Sequence, residues 1–255
     1  MSKLDNALYE LHHMDALASR DQWMNRIHPL VKLVLTAAYI AVTVSFHKYN
    51  FTGLLRMGLY PVALFILGEV SFRDALKRLR IVLPLVCFVG LFNPFFDRQP
   101  AMQIGNLVIT AGMISMVTLM LKGVYSVLAA YLLIASTSIE KICHALRLLH
   151  VPAILVTQIL LTYRYISVLL EEAGRIIQAY SLRAPKQKGV HFKVWGSLAG
   201  QLLLRSMDRA GQVYESMLLR GYTGEFYYGE KTPIRTGDIL YLTVWAGVFI
   251  ILKLL

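Results

Sequence analysis

Apolar residues in this chain come in blocks too long for a water-soluble core, and that arrangement limits its folds more than any other feature. A helix needs about 20 apolar residues to cross the hydrocarbon of a bilayer. Residues 30–46, LVKLVLTAAYIAVTVSF, are the first candidate span, and residues 54–70, LLRMGLYPVALFILGEV, the second, with Arg56 near one end where it can snorkel. Residues 81–96 are a short third candidate that Pro84 and Pro94 threaten to break. Residues 105–136 form a very long run, interrupted only by Lys122 and Gly123, and residues 238–254 are the last candidate. Composition agrees: hydrophobic residues make up 56% of the chain and charged residues 16%, against about 25% charged in an ordinary soluble domain. The expected fold class is an all-α integral membrane protein with about five transmembrane helices.

Charge sets the orientation. Residues 71–80, SFRDALKRLR, carry Arg73, Lys77, Arg78 and Arg80 against one Asp, and read as a cytoplasmic loop under the positive-inside rule. The loops around 47–53 and 97–104 carry only Lys48 and Arg98 as firm cations and read as outside. Residues 137–236 are rich in Lys and Arg and belong inside. These assignments agree only if 105–136 crosses once, although a helix of that length would reach roughly 48 Å and must tilt, kink near Gly123 or project from the membrane. The result is five spans, N-terminus inside and C-terminus outside. The formal net charge of +11 is explained by cytoplasmic Lys and Arg rather than by nucleic-acid binding. The polar start, MSKLDNALYELHHMDALASR, does not read as a cleavable signal peptide. Cys87 and Cys143 have no partner spacing and read as small apolar residues.

The chain divides into an N-terminal transmembrane part (1–136), a cytoplasmic part (137–236) and a last transmembrane helix (237–255). Structureless loops of a hundred residues are rare, and 137–236 reads as amphipathic helices. Ser138, Glu140 and Lys141 suggest a helix start, with Ile142, Ala145, Leu146 and Leu149 on one face and an end before Val151-Pro152. A second helix is expected from about Ala153 to Arg183, apolar in its first half and amphipathic in its second, stopped by Ala184-Pro185. The stretch PKQKGVHFKVWG is a basic turn. A third helix is expected from about Ser197 to Arg220, with Leu202, Leu203, Met207, Val213 and Met217 at helical spacing and Gly221 as its cap. Their apolar faces need cover, from the membrane interface, from each other or from another protein.

Both long helices end in arginine: Ser181-Leu182-Arg183-Ala184 and Leu218-Leu219-Arg220-Gly221. An arginine near a helix C-terminus is favoured by the helix dipole, and Gly or Pro beyond it is ordinary punctuation. The alternative is that each arginine projects from a helix tip into an acidic groove of a partner.

Four segments in order along the chain carry a resemblance: MDALASRDQWMNRIHPLVKL (14–33), ALRLLHVPAILV (145–156), TYRYISVLLEEAGRIIQAYSLRA (162–184) and RSMDRAGQVYESMLLRGYTG (205–224). Together they resemble the transmembrane T component of energy-coupling factor transporters, specifically the cobalt-type CbiQ family. The resemblance implies one domain over 1–255 acting as a non-catalytic scaffold in the cell membrane of a prokaryote. Its implied partners are ATPase subunits of the energy-coupling factor type, a cobalt-type substrate-binding membrane subunit and the surrounding lipids. ATP and Mg²⁺ would bind the ATPases, leaving no cofactor in this chain. Arg183 and Arg220, with Leu182, Ala184, Leu219 and Gly221 beside them, would couple to the ATPase subunits. The family pattern often has Gly after each arginine, and Ala184 departs from it. Cobalt is the implied substrate, with nickel or a vitamin as alternatives.

The residues themselves carry little chemistry. There is no G-x-x-x-x-G-K-[ST] phosphate loop and no H-E-x-x-H. His12, His13 and Met14 are adjacent, and neighbouring residues on a helix diverge too far to share one ion easily. His28, His144, His150 and His191 are scattered. Glu171-Glu172 and Asp208-Arg209 read as surface or interhelix charges. A membrane-embedded enzyme working at the cytoplasmic face is the alternative of another class, but it would need ionisable residues within the spans, where only Lys32, Arg56 and Lys122 occur.

Overall fold

The computed structural model describes residues 3–20, 22–68, 71–93, 100–104, 107–184, 189–224 and 233–254. Pro94, Arg98 and Pro185, used above, lie outside them, as does the end of the second apolar block. The described residues are almost entirely helical: α1 (Lys3–Ala18), α2 (Trp23–Arg26), α3 (Pro29–Ser45), α4 (Phe51–Met57), α5 (Leu59–Leu67), α6 (Phe72–Leu91), α7 (Ala111–Ser136), α8 (Ile139–Leu148), α9 (Ala153–Arg183), α10 (Trp195–Leu219) and α11 (Thr236–Leu254). A short antiparallel pair, β1 (Pro100–Ile104) and β2 (Leu107–Thr110), precedes α7. The chain forms two compact units: Leu17–Ser138 with Thr232–Leu255, and Met1–Ala16 with Ile139–Lys231.

Among the described residues, α7, α9 and α11 are long and apolar enough to cross a membrane, and two shorter apolar helical stretches cover Pro29–Ser45 and Phe51–Leu67. An all-α membrane protein is therefore the right class. Four details differ from the hydropathy reading, the first being that α9, in the segment read as cytoplasmic, is itself long and apolar enough to cross. The basic segment 71–80 is no loop but the first half of α6, which continues through Pro84 without a break. Proline removes one intrahelical bond, yet the apolar turns on either side keep the rod continuous. The run 105–136 is not one helix, because residues 107–110 form a strand and the helix begins at Ala111. That leaves 26 residues, about 39 Å of helix, with no kink required at Gly123. Gly123 serves another purpose: a Cβ there would stand 3.1 Å from both γ-methyls of Val86, so it lets α6 lie close along α7. The second block is divided at Gly58 into α4 and α5.

In the first unit, Tyr39, Tyr60, Trp245 and Phe249 form an aromatic cluster that joins α3, α5 and α11. Tyr39 and Tyr60 have ring centroids 4.5 Å apart, and Phe249 stands edge-on to Tyr60 at 5.1 Å. Several buried polar groups here are paired, as apolar surroundings favour. Pro61 has no N–H to give to the carbonyl four residues back, and the fully buried Tyr39 hydroxyl donates to that Met57 carbonyl instead, at 2.9 Å. Lys32, in the first turn of α3, donates to the Ser136 carbonyl at the end of α7 (2.8 Å) and to Thr137 Oγ1 (3.2 Å). Lys122 of α7 donates to the Val44 and Phe46 carbonyls at the end of α3, at 2.9 and 2.5 Å. Each lysine thus caps the other helix, which makes α3 and α7 an antiparallel pair and accounts for two of the cations in the apolar blocks. Asp238 is buried and accepts from the backbone N–H groups of His28 (3.0 Å) and Arg235 (2.9 Å), tying the start of α11 to the start of α3.

Candidate functional site

The second unit holds both arginine tips. Its helices start where the sequence places them, α8 at Ile139, α9 at Ala153 and α10 at Trp195, two residues before the expected start. N-terminal residues also belong to it: the Tyr163 hydroxyl of α9 donates to Asp15 of α1 at 2.6 Å, a link that the polar, mixed-charge start does not reveal.

α9 and α10 run antiparallel. Glu172 of α9 accepts from Arg205 of α10 and from Arg175 (2.7 Å) on its own helix. The hydrogen bond from Arg205 holds the Glu172 carboxyl below the usual carboxylate range, with attraction from Arg175 acting the same way. One turn after another toward the end of α10, the pair opens into a cleft of about 580 Å³ lined by Leu161, Arg164 and Tyr165 on one side and by Arg209, Gln212, Ser216 and Arg220 on the other. Arg220 therefore stands beside Arg164, nineteen residues before Arg183 on α9. At 1.5 Å per residue, the two arginine tips lie about 30 Å apart along the pair.

The tips are built differently. α10 ends in a Schellman motif: Tyr222 N–H donates to the Met217 carbonyl at 3.0 Å, and Gly221 N–H to the Leu218 carbonyl at 2.9 Å. This requires Gly221 at φ +82°, a left-handed conformation that glycine adopts without cost. Arg220 is the C-cap residue immediately before it. α9 ends without such a turn. Ala184 donates to the Tyr180 carbonyl at 3.0 Å and takes φ −127°, where a Cβ is ordinary. Alanine in place of glycine at this first tip is thus matched to its backbone. Leu182 is 76% exposed and Leu219 90% exposed, and both arginines are exposed. Among the described residues neither arginine has an acidic partner. Each tip is an exposed guanidinium flanked by an exposed leucine, a combination suited to insertion into a groove with apolar walls and an acidic or carbonyl floor.

Two of the histidines serve the backbone. His28 Nδ1 accepts from Leu30 N–H (3.3 Å) at the start of α3, and His191 Nδ1 from Lys193 N–H (3.4 Å) ahead of α10. His13 stacks on Tyr9. His150 occupies the left-handed position (φ +63°) of a second Schellman motif, in which Val151 N–H donates to the Leu146 carbonyl at 3.2 Å. Among the described residues no three His, Cys, Asp or Glu side chains gather to hold a metal ion. Both cysteines are free thiols, and burial, with Glu140 nearby, pushes the Cys143 thiol up.

Comparisons with known proteins agree on the family. The chain matches the cobalt transport protein family CbiQ over residues 20–230. It is 26% identical over 229 residues to the energy-coupling factor transporter transmembrane protein EcfT of Listeria innocua, covering 80% of this chain and 82% of that one. It is 26% identical over 152 residues to the cobalt transport protein CbiQ of Salmonella typhimurium, covering 54% of this chain and 67% of that one. An uncharacterized protein of Methanocaldococcus jannaschii is 27% identical over 186 residues, which span 69% of this chain and 64% of that protein's length. All four segments that carry the resemblance overlap the matched region, and the chain belongs to the CbiQ cobalt transport protein family.

Proposed function

We propose that this protein is the transmembrane coupling subunit of an energy-coupling factor importer, and that it takes part in cobalt uptake. The observation that supports this best is the pair of exposed arginine tips at opposite ends of the antiparallel α9–α10 pair. A spacing of about 30 Å is too long for one groove and suits two ATPase subunits, each receiving one tip. When the ATPases bind ATP and Mg²⁺ and close, their grooves move together. A rigid helix pair held at both ends then tilts, and passes the motion to a substrate-binding membrane subunit. The Glu172–Arg205 pair between the helices supports such rigidity. In this reading α8 to α10 face the cytoplasm, as their excess of Lys and Arg favours, and this chain catalyses nothing. The apolar first half of α9, with Ile154 75% exposed, is then covered by lipid or by the membrane partner.

Arginine is suited to the task because its planar fork binds carboxylate and backbone carbonyl together, whereas lysine offers a point charge. Breaking such a contact after docking costs on the order of 3–5 kcal/mol, more than about a hundredfold in affinity. The test is co-purification of the ATPase subunits, together with radioactive Co²⁺ uptake by the reconstituted complex. Arg183→Ala or Arg220→Ala should weaken both, and the double change should abolish both. Full co-purification and uptake by the double variant refutes the coupling role. Uptake of Ni²⁺ or a vitamin in place of Co²⁺ corrects only the substrate.

A further inference from the structure

The α9–α10 cleft has a feature that coupling to ATPases does not use. Three of its lining residues are arginines, Arg164, Arg209 and Arg220, and among the described residues no Asp or Glu lines it. Asp208 and Glu172 line an adjoining depression that shares Arg209 and Gln212 with the cleft, and there Glu172 is already engaged by Arg205 and Arg175. Among the described residues none of the three cleft arginines has an acidic partner. Three like charges around one open cavity repel one another unless an anion sits among them. Tyr165, also on the wall, carries a hydroxyl that can donate to an anion.

We infer that the α9–α10 cleft is a binding site for a phosphate group, carried by an anionic lipid headgroup or present as a free phosphate. Several guanidinium forks around one volume match the tetrahedral oxygens of phosphate better than a single planar carboxylate. The position of Arg164 is informative. It is the one Lys, Arg, Asp or Glu among residues 153–168, the apolar half of α9, and it lines the cleft. Seven residues before Leu161, and so on the same face of α9, Ile154 is 75% exposed and can meet an acyl chain. Basic pockets between helices at a membrane surface hold lipid phosphates in this way. The inference does not rest on the coupling role, since Arg164 and Arg209 carry it and Arg220 only contributes a third cation.

The test uses the full chain purified in detergent, with native mass spectrometry for lipid adducts and thermal shift for free phosphate. Wild-type protein should retain dioleoylphosphatidylglycerol in preference to dioleoylphosphatidylcholine. Arg164→Gln with Arg209→Gln should lower that affinity by about tenfold for each arginine removed. Both side chains are exposed, so the variant should keep the wild-type melting temperature and its co-purifying ATPases. Stabilisation by inorganic phosphate in the wild type but not in the variant, without lipid preference, identifies free phosphate as the source. Equal phosphatidylglycerol and phosphate binding by wild type and variant overturns the proposal. So does binding of neither probe by the wild type, and if ATPase co-purification then falls in the variant, the cleft is a protein contact instead.

Discussion

Gly221→Ala isolates the contribution of tip geometry from that of charge. Gly221 sits at φ +82°, and a Cβ built there meets nothing within 4 Å. The substitution therefore adds no clash and removes no contact, and its cost is the backbone cost of an L-residue in the left-handed region, about 1–2 kcal/mol. That cost falls on the turn that orients Arg220. If docking needs the Schellman conformation, the whole cost passes into binding, a loss of about five- to thirtyfold in ATPase affinity. Arg220→Ala, which removes the guanidinium itself, should cost more. Two companions sharpen the test. Gly221→Asn should bind better than Gly221→Ala, because Asn tolerates the left-handed region. Ala184→Gly, at the other tip, should change affinity little, since Ala184 has φ −127° and requires no glycine. The assay is titration of purified ATPase subunits onto immobilised protein in detergent. Wild-type affinity for Gly221→Ala, or a gain from Ala184→Gly comparable to its loss, would refute the claim that the two tips are conformationally different.

Three further outcomes are expected. His150→Gly should raise the melting temperature, by an amount corresponding to about 1 kcal/mol, because it relieves a non-glycine residue at φ +63°; thermal unfolding in detergent reads this directly. Glu172 should make the α9–α10 spacing pH-sensitive. Its carboxyl is depressed in the fold, so its contribution is present above the ordinary carboxylate pKa and is lost as pH falls through the depressed value. Spin labels on the two helices should report a wider separation in acid, and Glu172→Gln should show the wider separation already at neutral pH. Tyr39→Phe should cost about 1–3 kcal/mol by leaving the Met57 carbonyl unpaired, and adding Pro61→Ala should recover part of that loss, because alanine restores the missing helix N–H. Thermal unfolding of the two single variants and the double variant measures the coupling.

Most of the helical platform was legible in the sequence because its helices carry their own boundary signals. Val151-Pro152 and Ala184 bracket α9, and Gly221 marks the end of α10, all through local backbone chemistry. The membrane body was less legible, because a hydropathy window measures transfer cost and not conformation. The stretch Leu107–Thr110 is apolar enough to merge with α7, and only the Gly105-Asn106 pair between two short β-prone runs hints at a hairpin. In the same way the charges of 71–80 describe a segment in contact with water, which is equally true of an exposed helical turn and of a loop.

By itself the sequence determined the class of the protein and the helices of residues 137–236, since each follows from composition or from signals within a few residues, whereas the family resemblance, not local signals, singled out Arg183 and Arg220. Tertiary structure decided what those residues face. It set Arg183 and Arg220 at opposite ends of an antiparallel pair, brought Arg164 and Arg209 to the same cleft as Arg220, and gave Lys32 and Lys122 to each other's helix ends. These partners lie tens to more than a hundred residues apart in the chain. No local propensity encodes such a pairing, and it exists only once apolar faces and unsatisfied backbone groups have found each other in space.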